Sequence, residues 1–596
     1  MKAAKKSLKN IFSLRSFSVR AFATFAVLIV VVNILAVRYF SLQISGHEKW
    51  KQRALAQQFS AIELVPERGE ILTRGKDGNL QPLAVNKHVY NLVINPKEVQ
   101  ESGGDQDKIA KTLADSLSLP YSEVLKKVSK TGDPYEILQK NISEEKLTEI
   151  KQFNLEGLII EDEKSRFYPL KELASHIIGF VGFDEEDELT GRYGLEFGFD
   201  GLLSGSGPSK DEIEKVLERG SFLGVSSLYK KDGADIVLTI DPIVQRETEK
   251  LLAEEVKKWN AKSGNVIIMN PKTGEIIALV DYPNFDPNLY SKEKDLGVFL
   301  NSAVSLRYEP GSVFKPFTLA AGFSSGKISP ETEYYDSGEV KIDGKVIRNA
   351  GNSAPKKMIS MGLFLERSYN LGAVFVQNTV GDSFYRDFIL KTLGFEEKSG
   401  IDLPQEIQSS FSNFYPPEGR RINFATASFG QGVAVTPIKL LQEFSAFANN
   451  GVMMKPFVVS EIREENGKTT VTEPEIARRT MSQEVVQDAL PLLENVISGE
   501  RGSGKPAAIK GYRIAGKTGT GEIPREDGKG YSERVNHSFL GLAPVSNPQF
   551  VVLTRIEDPK GVRYAEATAV PLFQRIMKFV LNYYAIPPDN PGELEN

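Results

Sequence analysis

Cysteine is absent from all 596 residues, which excludes disulfides, thiolate nucleophiles and Cys-ligated zinc. Histidine is almost as scarce. His47, His88, His176 and His537 lie far apart and no H-E-x-x-H occurs, so neither a His-based metal site nor any other cofactor is expected. A basic surface for nucleic acid is lacking too: the chain carries −5 overall, although its first 20 residues hold six cations and no acid. What remains is an ordinary globular composition, 41% hydrophobic and 25% charged, over a length that calls for two or three domains.

The N-terminus is the first positive signal. After the basic tail (1–20), AFATFAVLIVVVNILAV runs uncharged from Ala21 to Val37 and ends at Arg38-Tyr39-Phe40. That is roughly 26 Å of helix, the short end of a membrane span. A cleaved signal peptide would have a shorter core and small residues of A-x-A type, whereas Ala36-Val37-Arg38 offers no such site. The expectation is therefore an uncleaved transmembrane helix over 21–40 in the plasma or inner membrane. The basic tail would lie in the cytoplasm and everything after it outside.

Residues 41–232 are mixed in pattern. HVYNLVINP (88–96) alternates like a strand, while charged stretches between 101 and 156 read as helices and loops. SGSGPSKDE (204–212) and KKDGAD (230–235) read as surface connections, placing a domain boundary near 232. The second domain, 233–585, opens with a short strand, Asp241 as N-cap, Pro242 at the first helical position and a long helix. NVIIMN and EIIALV flank PKTG (271–274) as a hairpin. The fold class expected is α+β, an antiparallel sheet with helices packed on it, followed by a tail over 586–596.

Two motifs carry chemistry, and neither suffices alone. Ser312-Val313-Phe314-Lys315 is S-x-x-K, a spacing that puts both side chains on one helix face. A lysine desolvated among Val313, Phe314 and Phe317 could remove the serine proton. Ser143–Lys146, Ser227–Lys230 and Ser291–Lys294 match the same pattern. GYRIAGKTGTGE (511–522) satisfies the phosphate-binding G-x-x-x-x-G-K-[ST] and contains K-T-G, which recurs at 130–132 and 272–274. A phosphate loop must lead into a helix. Here Tyr512–Ala515 reads as strand and GEIPREDGKGYSERVN, which follows, as loop. SGERGSGKP (498–506) comes close to the same pattern, but Pro506 replaces its Ser/Thr.

Ser312-x-x-Lys315, Ser368-Tyr369-Asn370 and Lys517-Thr518-Gly519 in this order resemble the motif set of penicillin-binding proteins, with Tyr369 where S-D-N has Asp. RYEPGSVFKP, SFGQGVAVTPIKLL and HSFLGLAPVSNP also resemble transpeptidase segments. PERGEILTR, RFYPLKELASHIIGFVG and GLEFGFDGLLSG resemble the non-catalytic pedestal (dimerisation) domain of class B members. No glycosyltransferase motif of class A occurs. SHIIGFVGF and YYAIPP are closest to the division type, FtsI-like or its sporulation homologue, with an elongation-type enzyme as the alternative. A β-lactam sensor would need more than a 20-residue cytoplasmic tail, and intact motifs argue against an idle scaffold.

The resemblance implies a membrane-anchored, serine β-lactamase-like peptidoglycan D,D-transpeptidase that cross-links stem peptides ending in D-Ala–D-Ala and is acylated by β-lactams. Ser312 would be the nucleophile and Lys315 its base. Ser368 would relay a proton to the leaving amine, helped by the charge of Lys517, and Asn370 would hold the substrate amide. Thr518 and Thr520 would grip the terminal carboxylate, and the amides of Ser312 and Thr520 would form the oxyanion hole. Gly519 would leave room for the substrate chain. An FtsW-type glycan polymerase and other divisome membrane proteins would be partners. Two departures stand out: Thr73-Arg74 where the pedestal motif has Asp-Arg, and VRYAEATAVPLF without the usual Gly-Gly.

Overall fold

A computed structural model describes residues 24–25, 28–35, 38–40, 66–185, 189–207, 231–417, 419–525, 527 and 530–593. The basic tail, the S-x-x-K at 227–230 and parts of the expected anchor and of both surface connections lie outside these. Residues 28–35 are helical, and every large apolar side chain from Leu28 to Leu35 is exposed. No helix among the described residues is long and apolar enough to cross a membrane.

The chain divides into two compact units, Met1–Pro66 with Ser206–Lys231, and Glu67–Gly205 with Asp232–Asn596. The second holds the fold. Its first strands are β1 (Ile71–Arg74), β2 (Leu80–Ile94), β3 (Glu136–Ile142) and β4 (Leu158–Phe167). The alternating run at 88–94 is the end of β2, buried from Asn91 to Ile94, and β2 pairs antiparallel with both β3 and β4. Helices at Gln106–Leu117, Tyr121–Val128 and Glu144–Lys151 supply apolar residues to a small core with Leu92, Ile94 and Val99.

Beyond β5 (Asp235–Leu238), Asp241 caps α1 (Pro242–Lys258) by accepting from the amides of Ile243 and Val244 at 2.9 and 3.1 Å. The expected hairpin follows as β6 (Ser263–Met269) and β7 (Ile276–Tyr282). Two helices of the site come next, α2 (Lys315–Ser324) and α3 (Asn370–Val380). β8 (Val459–Arg463) and β9 (Thr469–Val471) then return to the early strands, giving the order β9-β8-β5-β1-β2-β3 with β4 also on β2. The chain thus builds a seven-stranded sheet from segments on both sides of residue 232. The departure at Thr73-Arg74 serves this join: Thr73 Oγ1 donates to the Ile240 carbonyl and Arg74 meets Glu461 at 2.5 Å.

After α4 (Gln483–Ser498) come β10 (Ala515–Pro524), β11 (Tyr531–Ala543), β12 (Phe550–Glu557) and α5 (Ala569–Tyr583). The five-stranded antiparallel sheet runs β10-β11-β12-β6-β7. α5 packs on it, with Phe573 4.6 Å from Phe539 ring to ring. Two expectations are corrected here. Tyr512–Ile514 is not strand, because its polar groups are bound elsewhere: the Arg513 amide donates to Asp589 at 2.7 Å and the Tyr512 hydroxyl to the Ile586 carbonyl at 2.7 Å. The stretch after the motif is not a loop but most of a hairpin, with Glu522 opposite Val535 and Pro524 opposite Tyr531. A hairpin that projects into water needs no apolar alternation, so its composition reads as loop.

Candidate active site

Ser312 sits in a single 3-10 turn, Gly311–Phe314, that runs directly into α2. Glycine is needed before it, since Gly311 has φ +58° and a Cβ there would meet the Thr520 carbonyl at 2.6 Å. Behind the turn, the Gly311 amide donates to the Gly430 carbonyl at 3.0 Å, so SFGQG buttresses the serine against β10. Val313, Phe314 and Phe317 are fully buried, as is Lys315.

Lys315 Nζ donates to the Ser368 carbonyl (2.5 Å), to Asn370 Oδ1 (3.0 Å) and to Ser368 Oγ (3.2 Å). Burial, and secondarily the charge of Lys517, hold its pKa well below the ordinary lysine value. Ser368 itself has φ +57°, a left-handed backbone that few non-glycine residues adopt. That strain turns its carbonyl and hydroxyl together onto Lys315. Asn370 opens α3 and donates to the Arg348 carbonyl at 2.9 Å, while Asn349 accepts from the Leu371 amide at 3.0 Å.

Lys517 approaches from β10. Its Nζ donates to Ser368 Oγ at 3.0 Å and to the carbonyl and hydroxyl of Thr518 at 3.1 Å each. Burial brings its pKa down to about 7 against a smaller opposing pull from Glu566. Ser368 Oγ therefore lies between two lysine ammonium positions of depressed basicity, which suits a hydroxyl that must accept one proton and release another.

The groove beside these groups has a volume of about 1840 Å³. Ser312, Ser368, Asn370, Thr518 and Thr520 all line it. β10 is the edge strand, and Thr518, Thr520 and Glu522 face the groove with the two-residue period of a strand. Gly519 does not. A Cβ there would lie 2.6 Å from Ser538 Oγ and 2.8 Å from both the Pro310 carbonyl and Val313, so the space it leaves is filled by the protein, not by a substrate chain.

Ser312, Lys315, Ser368, Asn370, Lys517, Thr518, Gly519 and Thr520 are thus brought to one place. The decoys are not. Ser143 is a helix N-cap accepting from the Lys146 amide at 3.3 Å, and Lys272-Thr273-Gly274 turns the β6–β7 hairpin. His537, opposite Thr520 across the ladder, is buried with Nδ1 2.8 Å from Thr568 Oγ1 and a pKa lowered to about 4 by desolvation. Glu366 holds the 499–503 turn, accepting from the Arg501 amide at 2.6 Å. Sequence reasoning missed Ser503, whose hydroxyl is 3.0 Å from Thr518 Oγ1, and Glu566 beside Lys517. Two glycines bracketing a serine were the signal for the first; the second left none.

Residues 264–578 match the family described as penicillin binding protein transpeptidase domain, and residues 63–238 match the penicillin-binding protein dimerisation domain. The chain belongs to the class B penicillin-binding proteins. Within that family it is 32% identical to stage V sporulation protein D of Bacillus subtilis, over 94% of this chain and 85% of the relative. It is 28% identical to peptidoglycan D,D-transpeptidase FtsI of Escherichia coli, over 86% and 84%. Penicillin binding protein 2X of Streptococcus thermophilus has the same fold, with TM-score 0.71 at 22% identity over 87% of this chain and 80% of that one.

Proposed function

We infer that this class B penicillin-binding protein is a septal peptidoglycan D,D-transpeptidase, acting through an acyl-enzyme on Ser312. The observation that carries the assignment is that Ser312 and Ser368 line one groove while Lys315 and Lys517, buried behind it and of lowered basicity, both donate to Ser368 Oγ. Relatives named as FtsI transpeptidases support the reaction and the septal role, and the relative named for sporulation favours cross-linking during spore formation as the second reading.

Ser312 Oγ would attack the carbonyl of the D-Ala–D-Ala bond while Lys315, neutral, takes its proton. The C–N bond breaks as Ser368 hands its proton to the departing D-Ala amine and is reprotonated from the lysines. An amine of a second stem peptide then attacks the ester and frees Ser312. Asn370 would hold the substrate amide, and the Ser312 and Thr520 amides would receive the oxyanion, where one donor is worth about 3–4 kcal/mol. The edge of β10 would bind the peptide as an added strand, with Thr518, Thr520 and Lys517 on its terminal carboxylate. β-Lactams would stop at the ester; penicillin binding protein 3 of Mycobacterium tuberculosis has been solved with aztreonam and with ampicillin.

The run at 21–40 would anchor the protein in the plasma or inner membrane, tail inside and catalytic domain outside. The exposed apolar side chains of 28–35 support this. Partnership with an FtsW-type polymerase and divisome membrane proteins would follow from that location.

The test is intact mass of detergent-solubilised full-length protein after benzylpenicillin. We expect the mass to rise by one drug molecule, on the peptide containing Ser312 and absent from Ser312→Ala. No adduct on folded protein would refute the assignment, and rapid drug turnover would make the protein a hydrolase.

A further inference from the structure

We propose that Ser503 is a positioning residue for the substrate's terminal carboxylate, donating to Thr518 Oγ1 so that the Thr518 proton is presented to the groove. The inference rests on the transpeptidase reading and adds a residue to it.

Ser503 lies in SGERGSGKP, and the structure gives that glycine-rich stretch a use unrelated to phosphate. α4 ends at Ser498, and the chain folds back on its end: the Gly502 amide donates to the Gly499 carbonyl at 3.1 Å and the Gly504 amide to the Val496 carbonyl at 2.9 Å. A Cβ on Gly502 would be 2.3 Å from the Val496 carbonyl, and one on Gly499 would be 2.4 Å from that of Asn495. Glu366 holds the other side, its carboxylate accepting from the Arg501 amide and its carbonyl from the Ser503 amide at 3.1 Å. The turn is therefore fixed by its backbone. The Ser503 hydroxyl takes no part in that; its one hydrogen-bond partner among the described residues is Thr518 Oγ1, and both residues line the groove.

Proton accounting then decides what the hydroxyl does. Thr518 Oγ1 has one hydrogen and two acceptor positions. Lys517 Nζ donates to one acceptor position at 3.1 Å. If Ser503 donates to the other, the Thr518 hydrogen has only the groove left to point at. If Thr518 donated to Ser503 instead, it would have no hydrogen for a ligand. A carboxylate can only accept, so its arrival selects the first arrangement, and the hydrogen bond to it is charge-assisted. Ser503 does not touch the carboxylate in this scheme; it sets the direction of the hydroxyl that does.

The experiment uses full-length protein and two probes, benzylpenicillin and its methyl ester, which lacks the anionic carboxylate. Rates of acylation of Ser312 are measured for the unmodified protein, Ser503→Ala and Ser503→Thr. We expect Ser503→Ala to slow the acid about ten-fold, more through weaker initial binding than through the acylation step. The ester should be unaffected, the melting temperature unchanged, and Ser503→Thr should restore the acid. Equal losses for acid and ester, or no loss for the acid, would overturn the assignment. If the unmodified protein is not acylated at all, the transpeptidase reading falls and this assignment with it. Acylation without an acid–ester difference between variants refutes Ser503 alone.

Discussion

Lys315 and Lys517 share one hydroxyl, Ser368 Oγ, at 3.2 and 3.0 Å, and their protonation states are opposed in what the reaction asks of them. A base must be empty, so acylation should rise with pH as Lys315 gives up its proton; its lowered pKa moves that rise down from the usual lysine range. Lys517 contributes its charge and its proton only while protonated, and its pKa is about 7, so activity should decline above that value. The expected outcome is a bell-shaped profile of benzylpenicillin acylation against pH. Lys517→Arg, which cannot deprotonate, should lose the alkaline limb; an alkaline limb unchanged in that variant would refute its assignment to Lys517. The seven residues of S-x-x-K, S-x-N and K-T-G, with Thr520, come together because each motif is a local word. Ser312, Ser368, Asn370, Thr518 and Thr520 line the groove, Lys315 and Lys517 reach Ser368 behind it, and Gly519 packs on the turn that carries Ser312. Ser503 was hidden because its meaning depends on Thr518, 15 residues away and on another element.

The edge strand β10 is read on two faces, and the sequence marked only one. Thr518 and Thr520 face the groove, whereas Gly519 and Gly521 face the turn that carries the nucleophile: a Cβ on Gly521 would be 2.1 Å from the Glu309 carbonyl. Gly519→Ala should therefore act through the nucleophile and not through the substrate. It would push Pro310 and Val313 off the strand, and a displacement near 1 Å is enough to slow acylation by roughly 100-fold, with a stability loss of about 1–3 kcal/mol. Acylation kinetics and urea denaturation would check both numbers; a rate within two-fold of the unmodified protein would refute the packing role. The β6–β7 hairpin and the Asp241 cap were legible because their signals are short-range. The β10–β11 hairpin was not, since Gly, Pro and charge dominate a ladder whose faces meet water.

At the scale of the whole second unit, the early strands and the late ones are one sheet, and this no local pattern could announce. β1 pairs parallel with β5, and β5 pairs with β8. Among the early strands, Glu196 is fully buried between Arg68 and Arg166, each guanidinium 2.7 Å away. Removing the carboxylate would leave the largely buried Arg166 without its carboxylate and Arg68 with Asp200 alone, at 2.8 Å, so Glu196→Ala should lower stability by about 3 kcal/mol. Because the sheet is shared, the loss should reach the active site. In thermal unfolding, circular dichroism and capacity for benzylpenicillin should fall together, at a lower temperature in the variant. Penicillin binding that survives the first of two separate transitions would show that the early strands unfold alone.

That shared sheet also has a timetable. Leu238 must wait for Val459, a partner 221 residues later in the chain. At the usual pace of synthesis, about 5–20 residues per second, the wait is roughly 11–44 s. Throughout it, one side of β5 is a bare strand edge, open to the wrong neighbour. The nascent protein is most vulnerable in that interval, and it ends only when β8 arrives.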